Sequence, residues 1–230
     1  MTTRTARRMA TLAVAVAAAL LALAACGGRS GNDADGPDVA GPGVDGAGVD
    51  GPGSADSPTV GYQLQPAPDV GAIRLPDLND GGRPFAFRAD PDSLLLVFFG
   101  FTNCPDVCPT TMANVRFTLR KLGDTADRID VVMVTVDPER DLETLPAYVS
   151  DFVPGAHALG TADRDELLVA TEAFGASYTI GTTPSGDVDV GHTPYLYGVD
   201  DDGKVVITWS NEVSSDDLVA DIRYVLGTDT

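Results

Sequence analysis

Two apolar runs, Leu94–Phe101 and Ile129–Val136, constrain this chain more than any other feature. Neither alternates polar with apolar residues, so neither suits a strand with one wet face. Continuous apolar strands of this length belong in a sheet covered on both sides. The segments around them supply the cover. After Pro109, apolar residues at Met112, Val115, Leu119 and Leu122 recur at helical spacing. Leu142–Phe152, Asp165–Phe174 and Asp216–Leu226 also read as helices. Ala156–Leu159, Tyr195–Val199 and Val205–Trp209 read as further strands. Ile73–Leu78 and Phe85–Phe87 flank Asn79-Asp80-Gly81-Gly82, a good hairpin turn. Alternation of this kind predicts an α/β fold: a central, mostly parallel sheet with helices on both faces and an N-terminal β-hairpin.

This folded part is expected over residues 66–230, a comfortable size for one domain. The chain ahead of it has a different character. Arg4, Arg7 and Arg8 precede an Ala/Leu/Val run from Met9 to Ala25, too short and too Ala-rich for a convincing membrane span. The run ends in Leu23-Ala24-Ala25-Cys26, which resembles a bacterial lipobox. Residues 1–25 are therefore expected to be a lipoprotein signal peptide, with Cys26 as the lipidated first residue of the mature protein. Residues 26–65 are Gly, Pro, Ala, Asp and Ser with few large apolar side chains, as expected for a flexible tether that cannot bury enough surface to order itself. The domain would then sit outside the cytoplasm, anchored by lipid to the outer face of the cell membrane.

The chain carries a net charge of −19, and loss of the three signal arginines would take it to −22. That balance disfavours nucleic acid as a partner. It reads instead as solubility at an exposed surface.

With Cys26 assigned to the signal, one pair of thiols remains, Cys104 and Cys108, just past the end of the first apolar run. Outside the cytoplasm no glutathione pool keeps such a pair reduced, so a disulfide between them is allowed. Two neighbouring sulfurs can hold a soft metal such as Cu(I), exchange electrons as a dithiol/disulfide couple, or staple the chain. On a regular helix, residues four apart have β-carbons ~5–6 Å apart, whereas a disulfide needs roughly 3.5–4.5 Å. Pro105 and Pro109 interrupt regular helix here, so an irregular turn is expected to lead into a helix starting near Pro109. A helix N-terminus would also favour thiolates and lower their pKa.

Sheets of this class place ligands beyond the C-terminal ends of their strands. Asp137-Pro138 lies just past the second apolar run, and His192 just before a later strand. Two thiolates plus the His192 imidazole would make a three-coordinate site suited to Cu(I), and one that Cu(II) can also occupy. His157 enters a short strand away from those ends and is expected to be structural. Asp106 and Asp137 can tune the site or contact a partner, and each can equally cap a turn.

The order of strand, Cys motif, helix and later Pro-preceded strand resembles the thioredoxin superfamily. More specifically, the chain from about Ile73 to Leu226 resembles the SCO/SenC family of copper chaperones for cytochrome c oxidase assembly. The resemblance rests on Phe99-Gly100-Phe101-Thr102-Asn103-Cys104-Pro105-Asp106-Val107-Cys108-Pro109-Thr110-Thr111, on Val136-Asp137-Pro138-Glu139-Arg140-Asp141, and on Gly191-His192-Thr193 with Tyr197 and Asp200 downstream. It implies a thioredoxin-like fold, copper as cargo, and Cys104, Cys108 and His192 as its ligands. It also implies a partner, cytochrome c oxidase subunit II or another cuproprotein, which would receive copper or have its cysteines reduced. The chain departs from the family pattern at Asn103, where His is more usual, at Pro194, and at Gly191, where an Asp that could orient the imidazole is common.

Three functions compete on these residues: a membrane-tethered copper metallochaperone that is not a turnover enzyme, a thiol-disulfide reductase that prepares the cysteines of a cuproprotein, and a thiol peroxidase. The peroxidase is disfavoured because Thr110 and Thr111 follow the cysteines and no resolving cysteine stands elsewhere. A reductase has no need of a histidine at position 192, which is what discriminates it from the chaperone.

Overall fold

The structure is a computed structural model and describes residues 58–228. The signal peptide, Cys26 and the tether up to residue 57 lie outside the described residues.

The first apolar run is β3, Leu94–Gly100, and every one of its seven residues is buried. The second is β4, Ile129–Thr135, which pairs with β3 in parallel, from Leu94 opposite Ile129 to Gly100 opposite Thr135. Alternate residues of β3 serve opposite layers. Phe99 packs edge-on against Phe174 and Tyr197, while a β-carbon on Gly100 would meet Phe98, Met133 and the Cys108 sulfur on the other side. Burial on both faces follows directly from that division.

The hairpin is present as β1 (Arg74–Asp77) and β2 (Arg83–Ala86), antiparallel. A short 3-10 turn joins them: the Asp77 carboxylate accepts from the Asn79 N–H at 2.9 Å, and Gly81 and Gly82 take left-handed φ of 64° and 79°. Only glycine adopts two such angles in succession cheaply. β5 (His157–Leu159) adds in parallel beside β4. β8 (Leu196–Val199) and β9 (Val205–Trp209) close the other side as an antiparallel pair next to β3. The strand order is β2-β1-β5-β4-β3-β8-β9, a parallel centre flanked by antiparallel pairs.

Among the described residues five α-helices complete the fold: α1 (Val107–Leu122), α2 (Pro138–Asp141), α3 (Leu145–Phe152), α4 (Arg164–Ala173) and α5 (Ser215–Val225). The single helix expected over Leu142–Phe152 is shorter and is preceded by the one-turn α2, with Pro146 in the first turn of α3, where its missing N–H costs nothing. Among the described residues no helix is long and apolar enough to cross a membrane.

Two features differ from the expectations. Residues Tyr178–Thr182 (β6) and Val188–His192 (β7) form a separate two-stranded antiparallel hairpin, which the periodicity did not reveal. Residues 58–65, expected as tether, are docked on the domain. The buried Asp221 carboxylate accepts from the Val60 N–H at 3.0 Å, the Gly61 N–H at 2.7 Å and the Trp209 indole N–H at 2.7 Å, and Tyr62 bridges Thr208. Composition marked this stretch as unable to bury surface of its own; it is held instead by backbone hydrogen bonds to a side chain 160 residues away.

Candidate metal centre

Gly100 ends β3, and the chain turns through Phe101-Thr102-Asn103 to Cys104. The helix that follows begins at Val107, two residues before Pro109, so Cys108 lies inside its first turn. Asp106 stands at the N-cap position, exposed, without a side-chain capping bond. The Cys104 sulfur supplies the capping instead, accepting from the Cys108 N–H at 3.3 Å. The free N–H groups of a first turn need such an acceptor, and here the acceptor is itself a candidate ligand.

Cys104 is half-buried and Cys108 fully buried, and both are free thiols. Burial pushes the Cys108 thiol well above its usual range, and a hydrogen bond with Cys104 adds to it. This corrects the expectation that the helix N-terminus would lower it: loss of water outweighs the helix field at this depth.

His192 is the last residue of β7, at the base of the exposed hairpin. Its Nε2 lies 3.6 Å from the Cys108 sulfur. Its Nδ1 lies 3.1 Å from the Thr193 carbonyl, which leaves Nδ1 as the donor and directs the Nε2 lone pair at the sulfur. The rings of Phe98 and Phe101 hold the imidazole edge-on, with centroids at 6.0 and 5.8 Å. Burial lowers the His192 pKa, against a smaller opposing effect of the Thr193 carbonyl, so the ring is neutral at pH 7. The carboxylate missing at Gly191 thus has a backbone substitute.

The donor atoms of Cys104, Cys108 and His192 all lie within 4.8 Å of one another. An ion held by three such donors, with bonds of about 2.3 Å to sulfur and 2.0 Å to nitrogen as for zinc, needs sulfur–nitrogen separations of about 3.7 Å in a trigonal plane. The Cys108–His192 distance already meets that. Two soft sulfurs and a neutral imidazole suit Cu(I) better than they suit hard cations.

Neither Asp137 nor His157 belongs to this cluster. Asp137 is buried and ion-paired with Arg140. His157 is paired through Nδ1 with Asp77 at 2.6 Å and packs at a tilt against the Phe85 ring, which makes it structural, as expected. Two neighbours of the thiols were missed. Asp141, fully buried, accepts from the Thr102 N–H at 2.9 Å, the Thr102 hydroxyl at 2.6 Å and the Thr135 hydroxyl at 2.7 Å. Its place at the end of the Val136–Asp141 motif, one turn beyond Asp137, was the signal available. Tyr148 on α3 keeps a buried hydroxyl with no hydrogen-bond partner among the described residues. Burial raises its pKa, and so does the field of Cys108, Cys104 and Asp141. Nothing in the sequence marked it.

Comparison with known proteins agrees with this geometry. The SCO1/SenC family profile matches residues 78–227. A Stutzerimonas stutzeri protein named for copper binding is 33% identical over 135 residues, 58% of this chain and 65% of its own length. The human protein SCO1 homolog, mitochondrial, is 31% identical over 149 residues, 59% of this chain and 47% of its own. The matches thus span about half to two thirds of the curated relatives. Among solved structures, copper-bound ScoI of Bradyrhizobium japonicum superposes with a TM-score of 0.58 at 31% identity, covering 66% of this chain and 96% of that one. Apo Sco1 of Thermus thermophilus gives 0.61 at 30% identity, covering 72% and 95%. With a profile match over more than half its length and the fold of its solved relatives, the chain belongs to the SCO1/SenC family.

Proposed function

We propose that this protein is a copper metallochaperone that holds one Cu(I) between Cys104, Cys108 and His192 and passes it to a cuproprotein, the binuclear copper site of cytochrome c oxidase subunit II being the leading client. The observation that carries the reading is the convergence of two sulfurs and one imidazole nitrogen within 4.8 Å, drawn from two segments of the chain more than 80 residues apart. The names of the matched relatives support copper as the cargo.

The chain's own groups account for loading and release. His192 offers Nε2 without first losing a proton, since its proton is held on Nδ1 by Thr193. The Cys104 sulfur is already oriented by the Cys108 N–H. Burial raises the Cys108 pKa, so that thiol gives up its proton when a cation compensates the buried charge, and loading releases a proton there. Oxidation of the two thiols to a disulfide would consume both sulfurs, so metal binding and disulfide formation exclude each other.

The test is Cu(I) titration of the reduced full chain against a competing chelator. Wild type should take up one equivalent, and the Cys104→Ser/Cys108→Ser double variant none; full retention by that variant would sink the assignment. His192→Ala separates chaperone from reductase, because it removes a ligand and no redox-active atom. Cells carrying it should fail to metallate the client oxidase. Assembly of a fully metallated oxidase with His192→Ala but not with Cys108→Ser would replace the chaperone by the reductase.

Lipidation at Cys26 and an extracytoplasmic, membrane-tethered location belong to the same proposal and rest on the leader sequence. Mass spectrometry of the mature N-terminus tests them, and an unmodified Cys26 would remove the anchor.

A further inference from the structure

Three donor atoms form the candidate site, and the structure holds each by a different device. Cys108 is built into the first turn of α1, and His192 is fixed by Thr193 and two aromatic rings. Cys104 lies in the open turn between β3 and α1, where the one backbone bond closing the turn, from the Cys104 N–H to the Phe101 carbonyl, is a long 3.4 Å. The Cys108 N–H on the sulfur adds a second long contact, 3.3 Å, and these two alone leave the sulfur freer than the few tenths of an ångström that a ligand set requires.

Asp141 closes that gap. One carboxylate oxygen accepts from the Thr102 N–H and the Thr135 hydroxyl, and the other from the Thr102 hydroxyl. Thr135 ends β4 and pairs in register with Gly100, the end of β3. A single buried side chain therefore ties the turn two residues before Cys104 to the rigid ends of both central strands. A buried carboxylate gives little net stability over an apolar side chain of similar size. What it supplies is direction, through three short bonds of fixed geometry.

We infer that Asp141 is a positioning residue for Cys104: its carboxylate locks the Phe101–Cys104 turn to the strand ends and so sets where one of the two sulfurs stands. This rests on the copper reading for its purpose, though the lock itself does not. Cys108 and His192 have further supports of their own, the first turn of α1 and the Thr193 carbonyl with the Phe98 ring, and touch the turn only through the Cys108 N–H and the Phe101 ring.

Two readouts on the reduced full chain test the inference, one of them metal-free. Asp141→Ala removes all three acceptors. Asp141→Asn can keep them: its oxygen serves the Thr102 N–H and the Thr135 hydroxyl, while its amide donates to the Thr102 oxygen. In the metal-free protein, amide exchange at Thr102 and Cys104 should accelerate by about tenfold or more in Asp141→Ala, with β3 and α1 amides unchanged. Cu(I) affinity in the same variant should fall by about 10–100-fold, the usual cost of losing a group that orients a ligand. Asp141→Asn should stay within about threefold of wild type in both measurements. Wild-type exchange and affinity in Asp141→Ala would overturn the inference. So would acceleration spread evenly over every amide, which is plain destabilisation, or Asp141→Asn falling as far as Asp141→Ala. If Asp141→Ala does not fold, Thr102→Val deletes one of the three bonds alone, and it should lose affinity several-fold; unchanged affinity there counts against the lock. If wild type binds no Cu(I), the copper reading fails, and the exchange measurement still decides on the lock.

Discussion

The Cys108 sulfur stands on the most deeply buried part of the molecule, with the half-buried Cys104 beside it, and the imidazole stands on one of its most exposed. β3 has no exposed residue, and Cys108 shares its layer with Phe98, Gly100 and Met133. The β6–β7 hairpin that carries His192 leaves most of its residues exposed, Ile180 and Val188 among them, and pairs with no strand of the main sheet. On the proposed copper reading, a sulfur-bearing turn that persists through loading and release gains from a rigid support. The third donor sits on a peripheral hairpin and reaches the core only through the edges of Phe98 and Phe101, so on the copper reading it is the ligand more easily displaced. If copper is held as proposed, retention would fall to the sulfurs and completion to the histidine.

Removing a sulfur should have the largest effect. Structural zinc sites gain about 10–16 kcal/mol from the full ligand set, so one ligand's share is roughly 3–4 kcal/mol. Cys108→Ser should therefore weaken Cu(I) binding by at least about a hundredfold in a chelator competition. A loss no greater than that of His192→Ala would break the division between the two regions.

pH should act on the buried half first. The Cys108 pKa is raised by burial, so this thiol is protonated across the neutral range and must release its proton when copper binds. Affinity should rise with pH, by about tenfold per unit from this group alone, through pH 6 to 8. The His192 pKa is lowered, so its proton competes only in more acidic solution. The same shift affects the metal-free fold. The unfolded imidazole binds a proton more readily than the folded one, so stability attributable to His192 is present above about pH 6.5 and is lost as pH falls through the lower folded value. A flat affinity between pH 6 and 8 would contradict the buried-thiol account.

His192→Ala should cost less, about 10–100-fold in Cu(I) affinity, with the melting temperature nearly unchanged because the hairpin carries little of the core. Calorimetry and the chelator competition together check this. A large drop in melting temperature would mean that the hairpin supports the fold, and the contrast would fail on its structural side.

The same contrast explains what was legible in the sequence. β3 and β4 were readable because burial on both faces leaves no choice but apolar residues, and their ends placed the cysteines. The Asn79–Gly82 turn was readable because its two left-handed angles require glycine. β6 and β7 were not, because exposed strands satisfy their backbone within the hairpin and need no apolar signature. The traces they left are weak: Val188 and Val190 alternate with Asp187 and Asp189 after the turn at Gly186. Asp141 was hidden for a different reason. A buried carboxylate looks like any other acid in a sequence with 34 of them, and only its three donors, contributed by Thr102 and Thr135, reveal its place. Residues 58–65 misled for a third reason, since backbone amides that dock on Asp221 leave no trace in composition.

The smallest effect should come from placing a carboxylate just before His192, where the family resemblance leads us to expect one. In Gly191→Asp the new β-carbon would meet the Thr179 hydroxyl oxygen at 3.0 Å across the hairpin, a contact that an exposed threonine rotamer can relieve. The added carboxylate finds no vacant donor on the ring, because the Nδ1 proton is already engaged by the Thr193 carbonyl. A second acceptor would have to displace that bond, and exchanging one Nδ1 hydrogen bond for another nets little, of order 1 kcal/mol. Cu(I) affinity should change by less than about threefold. A gain of tenfold or more would show that the backbone carbonyl orients His192 poorly, and that the hairpin half of the site is looser than its contacts with Phe98, Phe101 and Thr193 imply.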